Sequence, residues 1–308
     1  MKPWRKFAGN TFGFVAPPSW RGSVDAIPVK TTYIGNHLLP LTGAAKYSED
    51  LFPVTFSSAL GLRNRANYFF SSKYEDAWRP ELRRMMLVRF HRLVERAAQR
   101  YDVRSPLVFI KEASAAHAAP LVMSMLRRSR LIFLVRDGRD VVDSQTAANQ
   151  PGGWVPMEAG WTTPEERVGF IRRRARNWAG DVAAIERAFE AHPPELRWML
   201  RYEDLLADPA GNLGPLVEWL GLRRSERWLA DTVEANAFKS IAPEKKGATK
   251  FFRSASPGVW RKNLTAEEAA VLESIMGTKL RELGYPVAEG EPTAGKSPGR
   301  DPKIVRPG

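Results

Sequence analysis

The sequence predicts an α/β protein with a central, mostly parallel sheet flanked by helices, and three observations predict it. The first is Leu131-Ile132-Phe133-Leu134-Val135, a short unbroken apolar run typical of a strand buried on both faces, which stops at Arg136. The second is the pattern leading into it. An apolar stretch at 107–110, a helical stretch at 115–126 and then this run give the strand, helix, strand order of a parallel crossover unit. The third is the junction at its end: Gly138 is placed for a tight turn, and Asp140 is placed to cap a helix opening with Val141, Val142 and Asp143. Arg136 then stands at the carboxyl end of a buried strand, and Ser144 in the first turns of the next helix. Crevices beyond such strand ends bind ligands, helix N-termini offer free N–H groups, and an arginine fork matches phosphate oxygens. The junction reads as an anion site.

Residues 1–75 carry scattered aromatics among Pro and Gly, with no sustained period. A helix is predicted over 78–101, with Leu82, Met85, Met86, Val88, Leu93 and Ala97 as an apolar stripe among arginines. After the central unit, Gly152, Gly153 and Pro156 break the chain, so 149–163 is read as a loop able to cover a substrate. An arginine-rich helix over 164–191 and a strand over 196–201 come next. Helices are predicted at 210–220, 225–235 and 265–283, the last opening with the capping box Thr265-x-x-Glu268. Residues 1–285 are read as a single domain. The Pro-, Gly- and charge-rich stretch 286–308 is read as a disordered tail. Within it, Gly290 to Ser297 fits the phosphate-loop pattern G-x-x-x-x-G-K-[ST]. Pro286 and Glu289 before it and Pro298-Gly299 after it deny it the strand and helix such a loop needs.

Composition bounds the chemistry. A chain of 308 residues with 44% apolar content can bury a large core, and its net charge of +13 points to an anionic partner. Nucleic acid, acidic lipid, a sulfated or phosphorylated polymer and a highly charged nucleotide all satisfy that charge. The absence of cysteine excludes disulfides, thiolate catalysis and Cys-ligated zinc. The four histidines, His37, His91, His117 and His192, have no metal-ligand spacing, so no metal is expected. No stretch approaches the ~20 apolar residues of a membrane span, and the N-terminus has no signal-peptide core. A cytoplasmic protein is expected.

Three segments together resemble the sulfotransferases that use 3′-phosphoadenosine-5′-phosphosulfate (PAPS). They are Arg136 to Ser144; Arg201-Tyr202-Glu203-Asp204-Leu205, followed by an apolar helix ending Trp219-Leu220-Gly221; and Phe252-Arg253-Ser254-Ala255-Ser256-Pro257-Gly258-Val259-Trp260-Arg261. The resemblance spans 107–285 and implies the P-loop-containing nucleotide hydrolase-like architecture of that family. It implies PAPS as co-substrate without a metal, and a sulfuryl group passed to a hydroxyl or amine on a small molecule or glycan. By the same resemblance Arg136, Ser144 and Arg253 bind the 3′-phosphate, Tyr202 lies near the nucleotide, and Phe238 matches an aromatic against the adenine. Trp260 is read as packing. The base is expected near the end of the preceding strand beside a lysine. That implies Glu112 with Lys111, although a Lys–Glu pair at a strand end is an equal reading of the same residues. His117 is read as structural.

One departure stands out. No loop of the form P-[KR]-[SC]-G-T-[ST], the family's cradle for the 5′-phosphosulfate, precedes Lys111. The nearest stretch is Pro28 to Tyr33, which has Lys30 where glycine is needed. Either that loop is degenerate, or it lies outside this sequence, or another cradle is used. A sulfotransferase-like protein that binds nucleotide without turnover, and a basic protein that binds polyanions by charge alone, therefore remain alternatives. No sequence-specific nucleic-acid contact and no membrane span are expected.

Overall fold

The computed structural model describes residues 11–15, 28–31, 75–99, 107–112, 116–155, 161–222, 224–247, 250 and 252–287. Thr32, Tyr33, most of the predicted tail and the Gly290 to Ser297 pattern lie outside the described residues, as do 156–160 of the predicted covering loop. Among the described residues no helix is long and apolar enough to cross a membrane.

Five strands form one sheet: β1 (Thr11–Val15), β2 (Pro28–Thr31), β3 (Leu107–Glu112), β4 (Arg130–Val135) and β5 (Arg197–Arg201), in the order β2-β3-β1-β4-β5. The pairs β2/β3 and β4/β5 are parallel, and β1 lies antiparallel between β3 and β4. Four strands thus point one way, which agrees with a mostly parallel sheet in an α/β protein. The expected neighbours β3 and β4 do run in the same direction, but β1 separates them. Its sequence, Thr-Phe-Gly-Phe-Val within a Gly- and Pro-rich stretch, lacks the apolar run that marks β4.

The reversal of β1 bears on the missing cradle. Thr11 pairs with Leu134 and Val15 with Arg130, so the carboxyl end of this central strand lies at the amino edge of β4. Chain leaving Val15 starts from the edge opposite Arg136. Pro28–Thr31, the nearest sequence match to the cradle, is an extended edge strand in parallel register with Leu107–Ile110. Proline is tolerated at the start of an edge strand, and a strand backbone paired to its neighbour does not turn around an anion.

Nine α-helices are described: α1 (Glu75–Ala98), α2 (Ala119–Met125), α3 (Gly138–Asn149), α4 (Pro164–Glu190), α5 (Tyr202–Ala207), α6 (Pro209–Trp219), α7 (Glu226–Asn236), α8 (Trp260–Asn263) and α9 (Ala266–Glu282). The alternation along β4 explains the layers. Leu131, Phe133 and Val135 enter one core with Val108 and Ile110 of β3 and with α1, α2, α3, α4 and α9. Ile132 enters a second with Trp198, Leu200, Leu216 and Leu220 beneath α6. Each large apolar side chain so buried contributes about 1.5–3 kcal/mol, which fixes the register of β4, since a one-residue slip exchanges its two faces.

The ends of α4, α6, α7 and α9 lie within one residue of those expected, whereas α1 begins and ends three residues earlier and α2 begins four later. Both α4 and α9 open with capping boxes, Thr163/Glu166 and Thr265/Glu268. In α1 the buried stripe is Leu82, Met86 and Phe90, at a spacing of four; Val88, expected in it, falls off that face and is 52% exposed.

Candidate functional site

At the end of β4 the chain emerges from the core as Arg136 and turns directly into α3. The cap is Asp137, whose carboxylate accepts from the Arg139 backbone N–H at 2.9 Å, and Gly138 is the first helical residue. This corrects the sequence expectation of a glycine turn capped by Asp140. Gly138 is required by packing: a Cβ there would lie 2.6 Å from the Trp178 ring and 2.8 Å from the Met276 sulfur. Asp140 sits one turn along the helix, buried, and accepts from the backbone N–H groups of Gly258 (2.7 Å) and Trp260 (3.2 Å). Burial pushes its carboxyl above the usual range, against those two donors and the nearby Arg136 charge.

The Arg201-Tyr202-Glu203 segment, at the end of β5 and the start of α5, braces this turn from one side. The Arg136 guanidinium lies over the Tyr202 ring at 4.8 Å, and Arg201 lies over Tyr285 at 4.4 Å. Glu203 bridges: its Oε1 accepts from the Asp137 N–H and its Oε2 from the Tyr285 hydroxyl, both at 2.9 Å. Burial, with the Glu203 charge, drives the Tyr285 phenol far above its ordinary range, so it stays a donor. Burial also raises Tyr202, although Arg136 works against it.

The late segment 252–261 closes on the other side. Arg253 pairs with Asp143 through both Nη atoms, and Asn263 donates to the same carboxylate at 3.0 Å. Trp260 is buried between Arg139 at 4.5 Å and Arg261 at 4.6 Å, which is the packing role expected of it. Arg139, 1% exposed, forks onto Asp137 and reaches Glu273 at 3.2 Å. Asp137, Arg139 and Asp140 of the Arg-Asp-Gly-Arg-Asp cluster are therefore buried and partnered, and Arg136 is half-buried, so the cluster is not a surface turn.

Around the turn, then, the fold gathers Arg136 and Tyr202, with Arg253 joined to α3 at Asp143, next to Ser144. Ser144 is half-buried in the second turn of α3. Phe238 lies farther along, in a 3₁₀ turn, half-exposed with the Lys246 ammonium 4.9 Å from its ring centre; it is not a core residue. Lys111 and Glu112 fall within β3 and not after it, at the register positions of Gly13 and Phe12 of β1. Among the described residues no group of three or more His, Asp or Glu is arranged to hold a metal ion.

Reading of the sequence missed the carboxylates that assemble the site. Asp140, Asp143 and Glu203 each tie two segments that are far apart in the chain. Part of their signal was available: Asp140 and Asp143 are three apart, hence on one helix face, opposite the face that Val141 and Val142 turn to the core.

Among solved structures, mouse sulfotransferase SULT7A1 complexed with PAP is 15% identical, with a TM-score of 0.40 over 53% of this chain and 61% of its own. Retinol dehydratase with androsterone and inactive cofactor PAP is 19% identical, with a TM-score of 0.40 over 51% of this chain and 49% of its own. Retinol dehydratase with retinol and PAP is also 19% identical, at 0.39, over 52% of this chain and 49% of its own. The chain thus matches about half to three-fifths of the length of these structures. No curated protein matches it significantly. The model of the sulfotransferase family matches residues 53–226, more than half of the chain and both β4–α3 and β5–α5, and the chain belongs to that family.

Proposed function

We propose that the protein transfers a sulfuryl group from PAPS to a hydroxyl or amine acceptor and releases adenosine 3′,5′-bisphosphate. In this reading Arg136, Ser144 and Arg253 hold the 3′-phosphate, and Tyr202 and Phe238 lie against the nucleotide. The bond from sulfur to the bridging phosphate oxygen breaks as the bond from sulfur to the acceptor forms. Glu112 takes the acceptor proton, and Lys111 offsets charge developing on the bridging oxygen. The observation that carries the reading is the shared brace of the β4–α3 turn. Glu203 ties the Asp137 N–H to the Tyr285 hydroxyl on one side, while Asp140 and Asp143 hold the late segment on the other. Arginine is thereby presented at a helix N-terminus with its geometry set before ligand arrives, the arrangement that favours a bound phosphate.

Thermal shift with adenosine 3′,5′-bisphosphate tests the nucleotide half. At a hundredfold excess over Kd the ligand adds about 2.7 kcal/mol, a rise of several degrees for a chain of this size. Adenosine 5′-monophosphate, lacking the 3′-phosphate, gives a much smaller rise, and Arg136→Ala abolishes the difference. An undiminished shift in Arg136→Ala overturns the assignment. The reversed β1 favours one second reading, a chain that binds the bisphosphate without turnover. Consumption of PAPS with acceptor present, lost in Glu112→Gln, separates the two. Binding by charge alone predicts instead a steep fall with added salt for every polyanion.

A further inference from the structure

We infer that the arginine groove on α4 is an acceptor subsite for an acidic glycan, a sugar chain carrying carboxylate or sulfate groups; this rests on the sulfuryl-transfer reading above. The groove has a volume of about 330 Å³ and is lined by Phe170, Arg173, Arg174, Arg176 and Asn177. Its floor is Phe170, 4% exposed, packed by Trp161 at 5.0 Å and covered by the guanidinium groups of Arg174 at 5.0 Å and Arg173 at 5.9 Å.

Charge makes this surface unusual. On α4 and its neighbour α9 two other cations are paired: Arg167 forks onto Glu268, and Lys279 reaches Glu186 at 2.7 Å. Arg173, Arg174 and Arg176, with the adjoining exposed Arg172, form no ion pair with any described carboxylate. Like charges three and four positions apart on a helix repel, so the cluster weakens α4 unless an anion neutralises it.

Position points to the acceptor. Phe189 near the end of α4 packs tilted against Phe133 in the middle of β4, while Trp178 lies against Gly138 just past the carboxyl end of β4. The helix therefore runs antiparallel to β4, and residues before Trp178 reach beyond the carboxyl edge of the sheet, the edge at which Arg136 emerges. Chemistry narrows the class. Bases bind by stacking on open aromatic faces, and here the ring is covered. Guanidinium forks above a concave floor match the planar carboxylates and the sulfates of a sugar chain.

The test is calorimetric titration of the full chain, with adenosine 3′,5′-bisphosphate present, using a heparin-derived hexasaccharide at physiological salt. R173Q/R174Q/R176Q is expected to bind the saccharide about tenfold more weakly, as loss of several phosphate-like contacts implies, with the bisphosphate affinity unchanged. The control R84Q/R92Q/R227Q removes three arginines whose side chains are 78%, 71% and 91% exposed elsewhere; it is expected to bind as the parent does. Equal loss in the control, no loss in the groove variant, or no saccharide binding by the parent overturns the proposal. So does equally tight, equally arginine-dependent binding of a DNA duplex or of phosphatidylserine vesicles. Saccharide binding that depends on the groove without any bisphosphate binding overturns the nucleotide reading and leaves the groove standing.

Discussion

Arg253 and Asp143 lie 110 residues apart and meet in an ion pair whose carboxylate side is 3% exposed and whose arginine side is 20% exposed. The pair fastens segment 252–261 to α3 one residue before Ser144. A carboxylate this buried is tolerable only with its counter-charge in place, so the two residues are not equivalent under mutation. Arg253→Ala leaves Asp143 buried, with Asn263 as its other donor, and is expected to cost about 3 kcal/mol. Asp143→Asn removes the stranded charge, so Asp143→Asn/Arg253→Ala is expected to regain more than half of that loss. Urea unfolding of the two singles and the double gives the coupling energy, and additive losses would show that the pair does no structural work.

Gly138 offers a second check. Its conformation is ordinary helix, so any cost of Gly138→Ala comes from space. The new methyl meets the rigid Trp178 ring as well as the flexible Met276, and overpacking of this kind costs about 1–3 kcal/mol. Met276→Ala opens a cavity in the core and costs about 2–5 kcal/mol by itself, but it relieves the second contact, so the double variant is expected to lose less than the sum of the two singles, by a minority of the Gly138→Ala cost. Thermal midpoints of the three variants decide whether the ring or the thioether sets the limit.

The elements that were legible in the sequence are those specified locally. The Leu131 to Val135 run needs both faces buried, and the Thr265/Glu268 capping box is complete within four residues. The turn after β4 was misread because Asp137 and Asp140 are both good caps in isolation. The choice is made by Gly258 and Trp260, whose N–H groups recruit Asp140 from more than a hundred residues away. Central strand β1 was invisible for a related reason: its place depends on the β3 and β4 backbones on either side rather than on its own pattern. Of the candidate site, the cations Arg136 and Arg253 could be named from the sequence, whereas the carboxylates that aim them act across long separations.

Glu203 is the point at which β5, the β4–α3 turn and Tyr285 join, so its replacement should be felt in binding as well as folding. A glutamine has one acceptor oxygen for two donors, and one of Asp137 N–H and Tyr285 O–H then faces an amide NH₂. Glu203→Gln is expected to lose about 1–3 kcal/mol, the penalty of an unsatisfied buried group. It is also expected to weaken bisphosphate binding several-fold, because the Asp137 N–H orders the turn that carries Arg136. Tyr285→Phe leaves the Asp137 contact intact, so it is expected to lose stability while keeping nucleotide affinity. Equal binding losses in both variants would assign the effect to general loosening.

Acid sensitivity should trace in part to Glu268. Burial alone would raise its carboxyl, but the Arg167 fork and the Thr265 N–H outweigh burial and hold it below the ordinary glutamate range. Linkage sets the sign. A group whose folded value is depressed contributes stability above its unfolded value, near 4.3, and loses it as pH falls toward the folded value. The parent should therefore lose stability from about pH 5 downward. Arg167→Ala should lose part of that contribution at neutral pH and show a shallower decline in acid. His192 adds to the slope at higher pH: burial depresses it and its Nε2–H donates to the Ser129 carbonyl at 2.7 Å. Protonation of the unfolded histidine near pH 6.5 then begins to favour unfolding. Denaturation midpoints between pH 4 and 7 separate the two groups. His192→Gln should flatten the segment above pH 5 and Arg167→Ala the segment below it, and a parent curve unchanged by either variant would remove both from the acid response.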